Sequence, residues 1–477
     1  MKERKVEVAI IGAGTAGLSA YREALKQTRN IVLIESGAYG TTCARVGCMP
    51  SKLLIAAAEA AHAATNAHRF GVNVEDFSIN GREVMTRVKS ERDRFVGFVV
   101  ESITEMNQAH LIQGKARFIS PLTLQIDGQE TIKARSIVVA TGSQPIIPPF
   151  LKNLGERILL NDDLFEMDDL PKSVAVFGTG IIGLELGQAL HRLGVKVSII
   201  GRSGRVSPLT DPICSEYAKK CFREELDLTP AAKILDVSQR GDQHQIRFSS
   251  DDGPARTETF DYILSAVGRT PNVKDLALEN SGLDLDSSGV PIFDRYTMQC
   301  GDQPVFMAGD VNNDRPLLHE AADEGRIAGS GAGDFPEVSA GLRRTPMAVI
   351  FTDPQIAMVG KRYSELEDGT FETGEVSFEN QGRSRVLLKN KGVLRVYGAK
   401  GSGKFLGAEM IGPAVEHIAH LLAWANQQDL TVGKMLEMPF YHPVIEEGVR
   451  TALRQLNKNL KLGPAPVKRC LDCGPGA

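Results

Sequence analysis

The stretch Gly40–Lys52, GTTCARVGCMPSK, holds two cysteines, Cys43 and Cys48, five positions apart. In a regular helix, residues five apart are separated by about 7.5 Å of axial rise. A disulfide tolerates Cα separations only up to about 7 Å. A bonded pair would therefore require a distorted helix, which Gly47 and Pro50 permit through their backbone preferences. The alternative interpretation is a pair of buried free cysteines.

The run after the cysteines predicts a helix. Residues Leu53–Ala64 are rich in alanine, so both cysteines are expected near a helix N-terminus. The positive end of a helix dipole lowers the pKa of a nearby thiol and favours the reactive thiolate. The stretch is therefore a candidate site for thiol chemistry.

A dinucleotide-binding fingerprint precedes the cysteines. The β-branched run Val6–Ile11 predicts a buried strand, the stretch Leu18–Lys26 a helix, and Ile31–Ile34 a second strand. Glycines in the intervening turn let the backbone approach a pyrophosphate at the helix N-terminus, and an acid after the second strand accepts a hydrogen bond from a ribose hydroxyl. The fingerprint residues are Gly12, Gly14, Gly17 and Glu35.

A second fingerprint lies between the strands predicted at Val174–Phe177 and Val195–Ile200. Two such units in one chain imply two bound nucleotides. The glycines of the second unit are Gly178, Gly180 and Gly183.

The residues after the second unit bear on its coenzyme. Gly201 occupies the position where an acid would favour NAD, and Arg202 and Arg205 follow it. An arginine there can pair with the 2′-phosphate of NADP, although solvated loop charges are the alternative interpretation. Gly183 is more typical of NAD-type fingerprints, so both coenzymes stay open.

These motifs together resemble one protein family. CARVGCMPSK is similar to the redox-active centre of the class I pyridine nucleotide-disulfide oxidoreductases, and further motifs resembling that family occur in its order from residue 8 to residue 447. Members of that family usually have Gly-Gly-Thr-Cys before the second cysteine, whereas this sequence has Thr41 in place of the second glycine. The resemblance implies a redox disulfide between Cys43 and Cys48, with Cys48 next to the flavin. It also implies FAD at the first fingerprint and NAD(H) or NADP(H) at the second.

The resemblance assigns more contacts to FAD. The turn 140–143, Ala-Thr-Gly-Ser, resembles the end of the first FAD half, and VFMAGD at 305–310 resembles the second FAD contact, where an aspartate binds the ribityl chain. That aspartate can also cap the helix predicted at Leu317–Ile327, on which His319 is interpreted as a helical contact. The implied FAD residues outside the fingerprint are Thr42, Lys52, Thr141, Gly142 and Asp310.

Two more residues are assigned to the NAD(P) side. Glu185 matches a family glutamate that pairs with the lysine after the cysteines, here Lys52. A surface pairing within its own helix is the alternative. Gly268 lies in Ala266–Asn272, which resembles the turn where the NAD(P) domain returns to the FAD side.

The last third of the chain resembles the family's dimerisation domain. Its informative stretch is Phe440–Glu447, FYHPVIEE, in which His442 and Glu447 match the family's catalytic histidine and glutamate. Imidazole can take and return a proton near neutral pH, and a carboxylate on its far nitrogen fixes the tautomer. Glu446 is an alternative partner. In the family this histidine reaches the cysteines of the other subunit, so the resemblance implies a homodimer with shared active sites.

The C-terminal tail ends in a second cysteine pair, Cys470 and Cys473. Such a CxxC can be a secondary redox shuttle, half of a metal site or a spare thiol pair. A single CxxC is weak as a structural zinc site, so no metal is predicted. The remaining cysteines, Cys214, Cys221 and Cys300, are expected to be structural.

The composition is that of an ordinary globular protein. The 477 residues are 42% apolar and 24% charged, with a net charge of −4. No broad attraction to nucleic acid or membrane is implied, and no apolar run approaches the roughly 20 residues that span a bilayer. An odd cysteine count without a dense framework favours a reducing, cytoplasmic setting.

The predicted fold is α/β, with two Rossmann-like dinucleotide-binding domains and a C-terminal α+β dimerisation domain. The expected boundaries are 1–149 and 273–345 for the FAD domain, 150–272 for the NAD(P) domain, 346–461 for the interface domain and 462–477 for the tail.

The function implied by the resemblance is an FAD-dependent disulfide oxidoreductase, nearest to the dihydrolipoamide dehydrogenases, acting on lipoamide or a lipoyl-bearing protein. An alternative is an NADPH-dependent reductase of another disulfide, similar to glutathione, thioredoxin or mercuric reductases, with the tail cysteines as a relay. A third hypothesis, a binding module that keeps its flavin only for stability, is disfavoured because Cys43, Cys48, Lys52, His442 and Glu447 are all present.

Overall fold

The computed structural model describes residues 2–206, 208–250 and 253–462. Its first segment alternates strands with helices, as the first fingerprint predicts. The strands are β1 (Lys2–Ile11), β2 (Ile31–Glu35), β3 (Leu111–Gln113), β4 (Ala116–Ser120), β5 (Thr123–Ile126), β6 (Glu130–Val139) and β7 (Ser143–Pro145), and the helices are α1 (Thr15–Ala24), α2 (Thr42–Val46), α3 (Cys48–Asn66) and α4 (Gly81–Thr104).

The second segment repeats the strand–helix–strand pattern and adds antiparallel strands. Its strands are β8 (Ile158–Leu159), β9 (Ser173–Phe177), β10 (Lys196–Ile200), β11 (Asp227–Thr229), β12 (Ala232–Arg240), β13 (Gln243–Ser250), β14 (Arg256–Phe260), β15 (Tyr262–Ser265) and β16 (Arg269–Pro271), and its helices are α5 (Asn161–Leu164), α6 (Ile181–Arg192) and α7 (Pro212–Arg223).

The third segment returns to the first sheet and then forms a sheet of its own. Its strands are β17 (Val305–Met307), β18 (Met347–Ile350), β19 (Gln355–Gly360), β20 (Phe371–Ser377), β21 (Val393–Ala399) and β22 (Phe405–Gly412), and its helices are α8 (Leu318–Asp334), α9 (Gly382–Val386), α10 (Val415–Gln427), α11 (Val432–Leu436) and α12 (Glu447–Leu460).

The first sheet has a parallel core in the order β3-β2-β1-β6, and β17 pairs in parallel with the C-terminal end of β6. The hairpin β4–β5 pairs antiparallel with the other end of β6. Helix α8 packs closely on α1 because its small residues face that helix: a Cβ at Gly325 would lie 2.2 Å from the Ala16 carbonyl oxygen. The segment around β17 therefore completes the domain begun by β1.

The second sheet is wholly parallel, in the order β11-β10-β9-β15-β8. A separate antiparallel sheet, β12-β13-β14, packs on it through an apolar cluster that includes Phe177, Phe248 and Phe260. The third sheet is antiparallel, in the order β18-β19-β22-β21-β20, and α10 and α12 cover it. Two parallel α/β units and one antiparallel unit give the predicted α/β class.

Some elements differ from the sequence prediction. The sequence pattern of residues 81–108 predicts one helix, but α4 ends at Thr104. The pattern of residues 116–127 predicts a strand, but these residues form a hairpin that turns at Pro121 and Leu122. Proline fixes φ and lacks an N–H, which suits a turn rather than a strand interior. The sheet β12–β14 and the helices α7 and α12 were not predicted individually. None of the helices in the described ranges has an apolar stretch long enough to cross a membrane.

Candidate active site

The helix is interrupted between the two cysteines. Helix α2 ends at Val46, α3 begins at Cys48, and Gly47 between them has φ −120° and ψ −116°. Cys43 and Cys48 are both free thiols and hydrogen bond to each other. The helix is thus interrupted where a bonded pair would require a distortion, while both cysteines are free thiols.

The two thiols are not equivalent. Donation of a hydrogen bond from Cys43 to Cys48 raises the pKa of Cys43 well above the usual thiol value, and burial raises it further. The same hydrogen bond lowers the pKa of Cys48 to about 7, with help from the positive charge of Lys52 and against the opposing effect of burial. Of the two thiols, Cys48 therefore loses its proton first, near neutral pH.

Lys52 is held by two groups from other parts of the chain. Its Nζ lies 2.7 Å from Glu185 Oε2 and 4.7 Å from the centre of the Phe351 ring. The other Glu185 oxygen accepts a hydrogen bond from the Phe351 backbone N–H at 2.8 Å. The predicted Lys52–Glu185 contact is present, and the surface alternative is excluded because the Glu185 side chain is only 4% exposed.

The same face of α6 binds the loop that follows Phe351. One turn after Glu185, Gln188 Oε1 accepts the Asp353 backbone N–H at 2.8 Å, and Gln188 Nε2 donates to the Asp353 carbonyl at 2.8 Å. Arg192 then pairs with the Asp353 carboxylate at 3.1 Å and with Glu225 at 2.6 Å. Helix α6 therefore joins the redox helix to the last sheet of the chain.

Thr41 adopts a backbone conformation that favours glycine. Its φ is +37°, at the position where the sequence departs from the Gly-Gly-Thr-Cys lead-in. The Thr41 hydroxyl accepts a hydrogen bond from the Ala44 N–H at 3.3 Å and so caps α2. The threonine therefore adds a cap to the helix that carries Cys43.

The first fingerprint leaves room for a phosphate at the start of α1. A Cβ at Gly12 would lie 2.4 Å from the Ala140 carbonyl oxygen, and one at Gly17 would lie 1.8 Å from the Gly12 carbonyl oxygen, so both positions require glycine. A Cβ at Gly14, by contrast, would meet nothing within 4 Å. Glu35 accepts the backbone N–H groups of Ala13 and Gly37, each at 2.8 Å. An open cradle at a helix N-terminus, beside a fixed acid, fits a dinucleotide such as FAD.

Asp310 belongs to a hydrogen-bond network next to this cradle. Ser143 Oγ donates to Asp310 Oδ2 at 2.7 Å and accepts from Arg269 Nε at 2.8 Å. The neighbouring turn is locked by Thr141 Oγ1, which donates to the Asn272 carbonyl at 2.8 Å. The residues assigned to the second FAD contact and to the end of the first FAD half are therefore brought together.

Glu324 stabilises the turn before Asp310 through hydrogen bonds. Its Oε2 accepts the Gly309 N–H at 2.8 Å and the Asn312 side-chain amide at 2.7 Å, and Arg343 lies 3.0 Å from its Oε1. Burial raises the pKa of Glu324 to about 7. Sequence reasoning missed Glu324 because its role arises from contacts that no local motif records.

The second fingerprint has the same geometry as the first. A Cβ at Gly178 would lie 2.2 Å from the Ala266 carbonyl oxygen, and one at Gly183 would lie 2.0 Å from the Gly178 carbonyl oxygen. A Cβ at Gly180 would meet nothing within 4 Å. Gly268, with φ +129°, borders this turn through its neighbour Ala266. The site fits a second dinucleotide.

Arg202 and Arg205 follow β10 and are both exposed. Within the described ranges neither arginine forms an ion pair. A side chain at Gly201 would collide with Thr179 at 2.7 Å and with the Pro230 carbonyl oxygen at 2.9 Å. An acid at this position is therefore excluded by packing as well as by sequence.

His442 and Glu447 form the predicted pair. His442 Nδ1 lies 3.0 and 3.1 Å from the two carboxylate oxygens of Glu447. The glutamate side chain is 5% exposed and the histidine side chain 61% exposed. Glu447, rather than Glu446, is thus the partner, and it leaves Nε2 directed away from the carboxylate. Among the described residues no hydrogen bond joins His442 to Cys43 or Cys48.

The other cysteines and histidines lie outside these clusters. Cys214, Cys221 and Cys300 are buried, and His319 is exposed on α8. Cys470 and Cys473 lie outside the described residues. Phe351, like Glu324, had no signal in the sequence, since it reaches Lys52 only through the packing of the third sheet on α6.

Comparison with known proteins gives matches over nearly the whole chain. A family model described as pyridine nucleotide-disulphide oxidoreductase matches residues 6–325, and one described as the dimerisation domain of the same family matches residues 346–453, which supports a homodimer. Dihydrolipoyl dehydrogenase from Bacillus subtilis is 30% identical over 94% of this chain and 97% of its own length. Mercuric reductase from Shigella flexneri is 30% identical over 96% of this chain and 82% of its own length.

Solved structures show the same architecture. LpdA from Mycobacterium tuberculosis superposes with a TM-score of 0.80 at 25% identity, covering 96% of this chain and all of that one. The HOCl-induced flavoprotein disulfide reductase RclA from Escherichia coli gives a TM-score of 0.78 at 22% identity and supports the fold.

Proposed function

The chain belongs to the pyridine nucleotide-disulphide oxidoreductase family, and from that premise we propose that it exchanges electrons between NAD(P)H and lipoamide through Cys43 and Cys48. It is a flavoprotein disulfide oxidoreductase that uses FAD and NAD(P)H. The proposal concerns the substrate disulfide and the role of each residue.

The observation that carries the proposal is the His442–Glu447 pair at 3.0 Å. Exchange between a dithiol and a disulfide needs a group that takes and returns protons near neutral pH. A buried carboxylate bound to Nδ1 keeps Nε2 available for that task. Relatives named dihydrolipoyl dehydrogenase, which match this chain over almost their whole length, support lipoamide as the substrate.

We assign the thiol steps as follows, written toward lipoamide reduction. The Cys43 thiol first gives its proton to a histidine. The resulting thiolate attacks one sulfur of the substrate disulfide. A Cys43–substrate bond forms, the substrate S–S bond breaks, and the departing thiolate takes a proton from the imidazolium. The Cys48 thiolate then attacks Cys43 Sγ, which closes the protein disulfide and releases the second substrate thiolate for protonation.

FAD, when bound, passes two electrons from NAD(P)H to the protein disulfide. The chain's own residues bind and orient it. The cradle at Gly12, Gly14 and Gly17 would hold its pyrophosphate, with Glu35 at a ribose. The turn residues Thr141 and Gly142, together with Thr42 and Asp310, would line the remainder of the flavin nucleotide, and Lys52 would place a positive charge beside the ring and the Cys48 thiolate.

The exposed histidine supports a shared active site. His442 is bound to Glu447 but has no hydrogen bond to the cysteines of its own chain within the described residues. We propose that His442 serves Cys43 of the partner subunit, so that catalysis requires the homodimer that the dimerisation domain supports.

The test is lipoamide reduction by the purified holoprotein, with NADH and NADPH in parallel assays. Turnover with lipoamide, and its loss in both Cys48→Ser and His442→Gln, is the expected result. Bleaching of the flavin by either coenzyme without lipoamide turnover would reject lipoamide as the substrate. It would still show that the flavin accepts electrons from that coenzyme. Full activity in the His442→Gln variant would reject the acid–base assignment.

A second candidate is an NADPH-dependent reductase of another disulfide, favoured by the two exposed arginines after β10, which form no ion pair with any residue that the structure describes. In this proposal Gly178, Gly180 and Gly183 hold the pyrophosphate, and Arg202 and Arg205 bind the 2′-phosphate. Replacing both arginines by alanine should raise KM for NADPH about tenfold or more and leave KM for NADH unchanged. Arg247→Ala, at an exposed arginine of the same segment, is the control. An equal rise in KM for NADPH and for NADH would contradict the proposal that Arg202 and Arg205 bind the 2′-phosphate.

A further inference from the structure

The bend between the two redox cysteines exposes a backbone carbonyl that needs a partner. Helix α2 ends at Val46, just before the irregular Gly47. In a continuous helix the Val46 carbonyl would accept the N–H of residue 50, but residue 50 is proline and has no N–H. A partly buried carbonyl that is left without a donor is destabilising. The bend therefore depends on a donor from outside the helix.

That donor is Asn161, the first residue of α5. Its Nδ2 donates to the Val46 carbonyl oxygen at 2.7 Å across 115 positions of sequence. The residue is 5% exposed. The same amide group also donates to Asp162 Oδ1 at 2.8 Å, so its orientation is fixed by two acceptors.

The contact joins the redox bend to the segment that leads into the second fingerprint. Asn161 sits between β8 and β9, in the part of the chain that forms the second sheet. Val46 lies between Cys43 and Cys48 in sequence. The amide of Asn161 therefore reaches the one stretch of backbone whose shape sets the separation of the two sulfur atoms.

We propose that Asn161 is a positioning residue that holds the α2–α3 bend in the geometry from which Cys43 and Cys48 form their disulfide. The inference rests on the proposed function of the two cysteines. Without the Asn161 side-chain amide, the bend relaxes and the two thiols spend less time at bonding distance. The effective concentration of Cys43 near Cys48 therefore falls. The dithiol is then favoured over the disulfide.

The reaction that reports this effect is exchange with glutathione. One protein disulfide and two glutathione thiols give one protein dithiol and one glutathione disulfide, with two electrons passing to the protein. Holoprotein is equilibrated over a range of glutathione ratios, quenched with acid, and alkylated. Mass spectrometry of the peptides that carry Cys43 and Cys48 gives the oxidised fraction without counting Cys470 and Cys473.

Two variants remove the donor while changing volume in different ways. Asn161→Leu keeps a side chain of similar size, and Asn161→Ala shortens it. Both should shift the equilibrium about tenfold toward the dithiol, which corresponds to about 30 mV for a two-electron couple. The control is Asn280→Leu, which removes a hydrogen bond of the same kind, from Asn280 Nδ2 to the Phe118 carbonyl oxygen at 3.0 Å.

Each outcome decides one point. An unchanged equilibrium in both Asn161 variants, or an equal shift in Asn280→Leu, overturns the positioning role. Loss of flavin or of cooperative unfolding in both Asn161 variants alone also overturns it and makes Asn161 a folding residue. A wild-type protein in which Cys43 and Cys48 form no disulfide at any glutathione ratio instead rejects the proposed function.

Discussion

Lys52 helps to set the charge on the active-site thiols. The hydrogen bond from Cys43 lowers the pKa of Cys48 most, and the positive charge of Lys52 lowers it further, to about 7, against the opposing effect of burial. Replacing Lys52 by methionine keeps a long unbranched side chain and removes the charge. We expect the pKa of Cys48 to rise by about one unit, the lower end of the effect of a close opposite charge. The measurement is the pH dependence of Cys48 alkylation in the dithiol protein, followed by peptide mass spectrometry.

The matched control is Lys89→Met, which breaks an ion pair with Asp168 on the surface of the same domain and should leave the Cys48 profile unchanged. An alkylation profile of Lys52→Met that superposes on wild type would show that the hydrogen bond from Cys43 alone holds the thiolate.

At the residue scale, the sequence predicted what local spacing encodes. The fingerprint glycines follow from residues a few positions apart, whereas the His442–Glu447 pair and the Lys52–Glu185 contact come from the resemblance to the family. Phe351, Glu324 and Asn161 could not be predicted, because each acts on a partner distant in sequence. Their partners become visible only when three sheets are packed together.

The small antiparallel sheet β12–β14 contains a histidine in an unusual setting. His244 on β13 is 1% exposed, and within the described residues neither ring nitrogen has a hydrogen-bond partner. It shares its face with Ile246 and Phe248 of the apolar cluster. Burial lowers the pKa of His244, and the charge of Arg157 lowers it further.

We expect this histidine to make the protein less stable in acid. Its folded-state pKa lies below the unfolded value of about 6.5, so the unfolded chain binds the proton first. Stability is present above that value and is lost as pH falls below it, with a slope approaching about 1.4 kcal/mol per pH unit for one proton. His244→Phe should flatten the profile between pH 6.5 and the acid limit, measured by urea unfolding at a series of pH values.

The same substitution at the exposed His68 serves as the control and should leave the slope of the profile as in wild type. If the free energy of unfolding of His244→Phe falls with pH as steeply as that of wild type, groups other than His244 cause the acid sensitivity. This sheet was absent from the sequence prediction because its strands carry polar residues on their outer face and show the two-residue period only on β13.

At the scale of the whole molecule, the proposed shared active site predicts complementation between two inactive chains. Cys48→Ser and His442→Gln should each abolish lipoamide turnover alone. In a heterodimer of the two, one site receives both substitutions and the other receives neither. Random mixing of equal amounts makes about half of the dimers mixed, so activity should recover to about a quarter of wild type.

Activity is measured after the two purified variants are unfolded, refolded together and supplied with FAD, with each variant refolded alone as the control. Activity in the mixture no greater than in the separate controls would mean that His442 serves the cysteines of its own chain. The resemblance to the family implies that His442 serves the other subunit, and complementation tests that expectation directly.

The contacts along α6 limit how the chain can be rebuilt. Glu185, Gln188 and Arg192 fasten the loop at Phe351 and Asp353, while Asn161 fastens the redox bend from the same segment. A chimaera that takes its coenzyme-binding segment from a relative would therefore fail wherever the donor lacks these four side chains, even if its fingerprint were intact. If Arg202 and Arg205 bind the coenzyme as proposed, its specificity is better exchanged by substitutions in the loop after β10 than by replacing the whole domain.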